Sequence, residues 1–527
     1  AAARFWWQQD LLRMLVGLPW LCFLLAIPYL GTIIMLDVGW AFCSTWLSED
    51  NAWPVYWYVL VPLIITHAYA FCLVAIVILQ KRLFVGRLSP GLIIGPPSGC
   101  SSCGDIAWLQ AHWDALRRWL HERSVTSRGF EQALEPLVNS ELLSWVHRLL
   151  GAKVGRRVQS DTFEVVEHDC VEIEDFVVFG SAVKMNCDAP CPEEPFRREL
   201  KPIHLQKASN CLDHSQLMPG VVVGEAAVLG THTLAHQDAC FSPDSISTGC
   251  IAGKSVLLRT EASASAPPKE RAEELRVMKQ IESPFHWYFF NFSQISSAFV
   301  AYCLPNFAWL LATHVMLAIM EELDHEFHVS LGLWAFMYMA VWVATFFIVE
   351  VGLCLLTVAM KWMVIGRYKE ANYTFFSSFH YRWSIMLNFK GAMAPLTQHI
   401  AGTCFQIWYY RLMGAKVGKN AYLAGIALEF DLLEIGDGAA VNWDCDTTAH
   451  TVERMVLKMA HVHAQPHSAL LPGSVVMPGG LMERGALLLE HSQVLKGDVV
   501  RAGEVWAGQP GQKINMRTAP QKTRTHK

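Results

Sequence analysis

Leu470-Leu-Pro-Gly-Ser-Val-Val476-Met-Pro-Gly-Gly-Leu-Met482-Glu-Arg-Gly-Ala-Leu-Leu488-Leu-Glu-His-Ser-Gln-Val494-Leu-Lys-Gly-Asp-Val-Val500 carries a large apolar residue at every sixth position. That period matches neither the 3.6 of a helix nor the 2 of a strand. It is the mark of the hexapeptide left-handed parallel β-helix, in which three hexads close one triangular coil and one aliphatic residue of each points to the core. The register extends backward through Val417, Leu423, Ile435 and Val441, with Glu429 as its one exception. It also recurs earlier in the chain, at Val165, Val171, Val177 and Val183, then at Leu217, Val223 and Leu229.

Working outward, the chain repeats itself. Lys81-Arg-Leu-Phe-Val-Gly-Arg87 returns as Lys361-Trp-Met-Val-Ile-Gly-Arg367. Arg148-Leu-Leu-Gly-Ala-Lys-Val-Gly155 returns as Arg411-Leu-Met-Gly-Ala-Lys-Val-Gly418, and His214-Ser215 with Pro219-Gly220 returns as His467-Ser468 with Pro472-Gly473. Three anchors in the same order indicate a tandem duplication.

Ahead of each hexad region lie two apolar runs, about Met14–Phe42 and Trp53–Leu79, then about Ile295–Met320 and Leu331–Met360. Each reaches the ~20 residues that a helix needs to cross a bilayer. Hydrophobic residues make up 53% of the 527 and charged residues only 17%, as expected where part of the chain lies in lipid. Arg4, Arg13, Lys81, Arg82, Arg87, Arg276, Lys279, Lys361 and Arg367 flank one end of the runs, while Glu49-Asp50 and Glu321-Glu322 with Asp324 fill the short turns. The positive-inside rule then puts both hexad regions on the cytoplasmic, stromal or matrix side of a multi-pass membrane protein. A net charge of −5 without a basic stripe excludes nucleic acid as partner. Cys100 and Cys103 have ligand-like spacing, but no second pair completes a zinc site. Chain start at Ala1 implies processing or a longer parent, and the first apolar run is too long for a cleavable signal peptide.

The expected fold class is thus mixed membrane α plus all-β: four transmembrane helices in two hairpins and two left-handed parallel β-helix domains. The expected domains are a hairpin at 1–82, interfacial or linking helices at 83–150, a β-helix at 151–261 and a linker at 262–290. A second hairpin at 291–362, interfacial helices at 363–412, a β-helix at 413–513 and a basic tail at 514–527 complete the chain. Trp108, Trp113, Arg117, Arg118, Trp119, Tyr381, Arg382, Trp383 and Trp408 suit helices resting in the membrane interface or helices packed on the hairpins. Two breaks in the hexads, about Cys187–Asn210 and Thr447–Lys458, read as loops extruded from the stack.

Glu429-Phe-Asp-Leu-Leu-Glu-Ile-Gly-Asp437, Asn442, Asp444-Cys445, His450, Glu453-Arg454, Lys458-Met459 and Leu471-Pro-Gly-Ser-Val-Val476 resemble the membrane-embedded C-terminal condensation region of ε-poly-L-lysine synthetase and related non-ribosomal-peptide-synthetase terminal domains. Trp506-Ala-Gly-Gln-Pro510 is similar to the closing motif of hexapeptide-repeat transferases. The resemblance implies an acyl or aminoacyl transferase that joins units held as thioesters, on a phosphopantetheine carrier protein or on CoA. It differs in having two copies rather than three and no adenylation or carrier domain. By family position His450 is the general base, with Glu453 or Asp444 as the orienting acid; an imidazole suits proton transfer near neutral pH. A loop His capping a turn is the structural alternative. Arg454, Lys458 and Asn442 are the candidate substrate or carrier contacts. His461, His463 and His467 form a weak candidate metal cluster, since His-x-His alone does not specify zinc. The first copy has no His at the place of His450. A rival reading is a non-catalytic structural or assembly subunit of a larger organellar photosynthetic or respiratory membrane complex. The remaining partner expected in both readings is membrane lipid.

Overall fold

The computed structural model describes residues 2–47, 53–96, 106–161, 163–191, 194, 196–259, 279, 282–327, 331–453 and 455–514. Outside these residues lie Cys100 and Cys103, Glu49-Asp50, Arg276, Ala262–Glu274, Arg454 and the tail beyond Ile514, together with the side chain of Asp324.

Among the described residues, four helices are long and apolar enough to span a membrane: Arg4–Trp46, Trp53–Val85, Pro284–Leu323 and Gly332–Val364. The third begins at Pro284, inside the stretch expected as linker, because Phe285 to Phe292 continues the apolar run with aromatic residues. Polar links tie the second span to the third. Asn306 Nδ2 donates to Thr66 Oγ1 at 2.7 Å, and His67 Nε2 lies 3.2 Å from Cys303 Sγ. Such links are favoured where no water competes.

Beyond the spans the chain is a mixed helix and β structure. In each half, short strands of two or three residues form parallel sheets. Partners in neighbouring strands stand 18 residues apart: Lys416 opposite Glu434, Tyr422 opposite Ala440, Ala469 opposite Leu487 and Val475 opposite Gln493. Leu470, Val476, Met482, Leu488, Val494 and Val500 are each at most 1% exposed, so the six-residue register is the core of the second strand stack. Leu217, Val223 and Leu229 fill the same role in the first stack, all fully buried. Each such side chain contributes ~1.5–3 kcal/mol relative to exposure.

Three residues past each core position the chain turns through left-handed backbone. Gly473, Gly479 and Gly485 do so with φ of 70°, 80° and 69°, a conformation that costs a glycine little. In the first stack Ala226, His232, Asp238 and Asp244 occupy such corners at φ near 55°, and His214, His467 and His491 do the same. The recurrence of His214 at His467 therefore marks one corner position.

The two expected loops are β-hairpins. Asp188–Pro190 pairs antiparallel with Arg198–Leu200, and His450–Glu453 with Val456–Met459. A third strand joins each from the segment that follows the second span of its half: Ile93–Ile94 in one, Ala371–Thr374 in the other. In each half a lysine in the last turns of that span reaches an aspartate below its stack. Lys361 Nζ lies 2.7 Å from Asp431 Oδ2, and Lys81 pairs with Asp169. The stacks also touch each other, through a bridge of Cys250 with Gln509 and a bond from Gln493 Nε2 to Thr231 O at 3.2 Å.

Candidate functional site

Between the two stacks lies a cavity of about 650 Å³ with walls from both halves. Asp161, Asp213 and His232 line it from the first half; Trp383, Asp446 and His450 line it from the second. His450 opens the inserted hairpin, directly opposite Met459. Its side chain is 13% exposed, and its Nδ1 lies 2.9 Å from Glu429 Oε1, an ion-pair contact rather than an aligned hydrogen bond. The indole of Trp383 meets the imidazole edge to face, with ring centres 4.9 Å apart.

Glu429 is 1% exposed and sits just before the one-turn 3-10 helix Phe430–Leu432. Trp383 Nε1–H donates to its Oε1 at 2.9 Å, and the Ala449 N–H donates to its Oε2 at 3.1 Å. A carboxylate buried this deeply needs such donors. Burial raises its pKa, but His450, Trp383 and Lys390 together outweigh burial and hold Glu429 below the ordinary carboxylate value. Burial likewise lowers His450, yet Glu429, with Asp213 and Asp446 behind it, draws the imidazole above its ordinary value. The shifts have one cause, the mutual stabilisation of opposite charges.

Around this pair the cavity is acidic. Asp161 is pushed up to about 7 by burial and by the nearby charge of Asp213. Asp446 is raised by burial against the bonds that Thr448 gives it. Behind the dyad, on the helix Ser378–Gln398, Lys390 is lowered by burial to about 8 while donating to Ala427 O. His232 stacks on His214 at 4.9 Å and is held near 4 by burial, which leaves it neutral at pH 7.

The residues expected from sequence divide as follows. His450 and Asp444 both border the cavity. Asp444 occupies a left-handed corner with φ of 59°. Glu453 is not the partner of His450: it bonds Lys458 at 2.9 Å and Lys496 at 3.0 Å. The reason is strand geometry, because residues three apart on a strand point to opposite faces. The acid at His450 is Glu429, replacing both Glu453 and Asp444 in that position. Lys458 is held by Glu453, and Asn442 Nδ2 donates to Leu470 O at 2.7 Å within the stack. Arg454 lies outside the described residues. His461 and His463 stack at 5.4 Å, with His463 Nδ1 3.2 Å from Glu434, while His467 turns its ring against Gly438. Among the described residues, no three His, Cys, Asp or Glu side chains converge as metal ligands.

Sequence reasoning missed Glu429, Trp383, Lys390 and the first-half wall. Only Glu429 left a trace, as an acid standing where the hexads call for an aliphatic residue.

The first half holds the same frame with different chemistry. Asp188 opposes Leu200 as His450 opposes Met459, and Glu167 precedes a 3-10 turn as Glu429 does. Arg118 bridges the two acids, 2.7 Å from Glu167 and 2.7 Å from Asp188. Where the second half has a titratable imidazole, the first has a closed salt bridge.

No family model matches the chain. The Delta-poly-L-ornithine synthetase of Acinetobacter baumannii is 25% identical over 163 residues, covering 30% of this chain and 12% of that protein. The chain is thus similar, over under a third of its length, to a small part of a much longer polyamino-acid synthetase.

Proposed function

We propose that this chain is a membrane-anchored aminoacyl or acyl transferase of the hexapeptide type, forming an amide between an amine and a thioester-held acyl unit. The observation that carries this is the His450–Glu429 pair at the edge of a cavity shared by both halves. The similarity to a stretch of a poly-ornithine synthetase supports the same class of reaction. In this reading the two strand stacks are left-handed β-helices that arose by duplication, and they lie on the cytoplasmic-type side of the membrane.

In the reaction, His450 accepts a proton from the attacking amine through Nε2, with Nδ1 directed at Glu429. The amine nitrogen bonds the thioester carbonyl carbon. The C–S bond then breaks, and the departing thiolate takes the proton back from His450. Glu429 stabilises the imidazolium between these steps, as a buried carboxylate can. Asp161, Asp213 and Asp446 make the cavity attractive to an amine that carries a second positive charge. The same wall repels phosphate, so the phosphate of a phosphopantetheine arm or of CoA stays outside and only the thioester enters.

The rival reading, a non-catalytic structural or assembly subunit, is favoured by the first half, where Arg118 locks Glu167 and Asp188 together. The test is amide formation from an aminoacyl pantetheine thioester and a diamine by the full chain in detergent or nanodiscs. A His450→Ala variant that keeps its thermal transition should lose ~10²–10⁴ in turnover. Undiminished turnover in that folded variant removes His450 from the reaction. An inert wild type with every thioester leaves the scaffold reading.

A further inference from the structure

Two short helices, Glu141–Leu150 and Cys404–Met413, lie in corresponding places of the two halves. Each carries apolar residues on both faces, with Ser144 and His147, and Gln406, among the buried ones. Leu143, Val146 and Leu150 are buried in one, Tyr409, Tyr410 and Met413 in the other. The opposite face of the first exposes Leu142, Trp145 and Leu149 at 42%, 58% and 42%; that of the second exposes Phe405, Trp408 and Leu412 at 57%, 55% and 50%. A soluble helix would put polar side chains there. The arginine of each helix is turned away: Arg148 Nε donates to Val154 O at 2.9 Å, and Arg411 Nε to Val417 O at 3.1 Å.

Each helix is fastened by its last turn to the end of a span. Arg82 Nε donates to Leu149 O at 2.8 Å, and Trp362 Nε1 donates to Leu412 O at 2.8 Å. Arg82 and Trp362 follow the repeated lysines Lys81 and Lys361, so one latch is built twice with different donors. The residues next to them, Leu83 and Met363, are both 72% exposed on spans read as crossing the membrane. The exposed ridges therefore continue the lipid-facing surface of the spans.

We infer that these two helices lie in the membrane interface, with Leu142, Trp145 and Leu149, and Phe405, Trp408 and Leu412, inserted among the acyl chains next to the headgroups. Continuity with the span ends selects lipid as the occupant. Two equivalent faces, one in each half, suit a continuous sheet of lipid better than one protein partner. An interfacial helix of this kind sits ~5–10 Å into the headgroup–acyl boundary, where indole is favoured. Each strand stack is thereby held at the surface by its own ridge as well as by its spans. The inference rests on the spans and is independent of the transfer chemistry.

The experiment places the full chain in nanodiscs of ordinary or brominated phosphatidylcholine and records tryptophan emission. The wild-type spectrum minus that of Trp145→Phe, or of Trp408→Phe, isolates each indole. Trp443, 64% exposed on the second strand stack, serves as the water-exposed control through Trp443→Phe. The Trp145 and Trp408 components should lose intensity to bromine, as burial at the headgroup–acyl boundary implies, and the Trp443 component should lose none. Trp145 and Trp408 components as unquenched as that of Trp443 overturn the inference, whether a second copy or another protein covers the ridges.

Discussion

Replacing Glu429 by Gln keeps the shape of the acid and removes its charge. In the structure its Oε1 receives both His450 and Trp383, and its Oε2 receives the Ala449 N–H. A glutamine has one carbonyl oxygen. If that oxygen stays with Trp383, its NH₂ group faces the Ala449 N–H and leaves a buried donor unpaired, at ~1–3 kcal/mol of stability. His450 loses the charge that draws its pKa upward, while burial, the larger influence, continues to lower it. A general base works only when neutral, so wild-type kcat/KM should rise with pH through a His450 pKa above 6.5. In Glu429→Gln that limb should move to lower pH, with Asp213 and Asp446 still drawing the imidazole upward. The base is weaker there and its ring less well oriented, so the plateau should fall ~10²–10⁴-fold, or ~2.7–5.5 kcal/mol of transition-state stabilisation. The signs for stability are separate. The raised His450 contributes stability that is complete below 6.5 and is lost as pH rises through its folded pKa. The lowered Glu429 contributes stability that is present above 4.5 and is lost as pH falls through its folded pKa. Pair stabilisation should therefore be greatest between 4.5 and 6.5 and should vanish in the variant. The assay is the pH profile of amide formation, with thermal unfolding measured on the same samples. A limb that stays in place, or a plateau that does not fall, refutes the dyad.

Lys361→Met should strand Asp431 beneath the second stack and lower stability by ~3–5 kcal/mol, read as a fall in the thermal midpoint in detergent. The double change with Asp431→Asn should recover most of it; equal losses in single and double variants would contradict a buried pair. Arg118→Leu should unpair the buried Glu167 in the first half, while Asp188 keeps Arg198 at 2.7 Å; stability should fall, and the pH limb assigned to His450 stays where it is. Movement of that limb would mean that the first half shares the chemistry.

The six-residue register could be read directly because it obeys a local rule: one buried apolar residue recurs at a fixed spacing along the parallel strands. Leu470 through Val500 show it with no exception, and the four spans follow from length and apolarity alone. His450 was also legible, through its place in a resemblance and in a break of the hexads. Its acid was not. Glu453 is close in sequence, but on a strand three residues of separation turns the side chain to the far face. Glu429 reaches His450 only because a hairpin folds back over an earlier part of the strand stack, and such a contact leaves no local period.

By itself, then, the sequence determined the repeated frame, since periodicity and span length are properties of neighbouring residues. Tertiary structure decided which polar groups meet: Glu429 with His450, Arg118 with Glu167 and Asp188, and Asp161 with Asp213 on the far wall of the cavity. Those pairings depend on how inserted hairpins and two separate stacks are packed. Burial then sets their protonation, because a charge removed from water is governed by whichever partner the fold brings within reach.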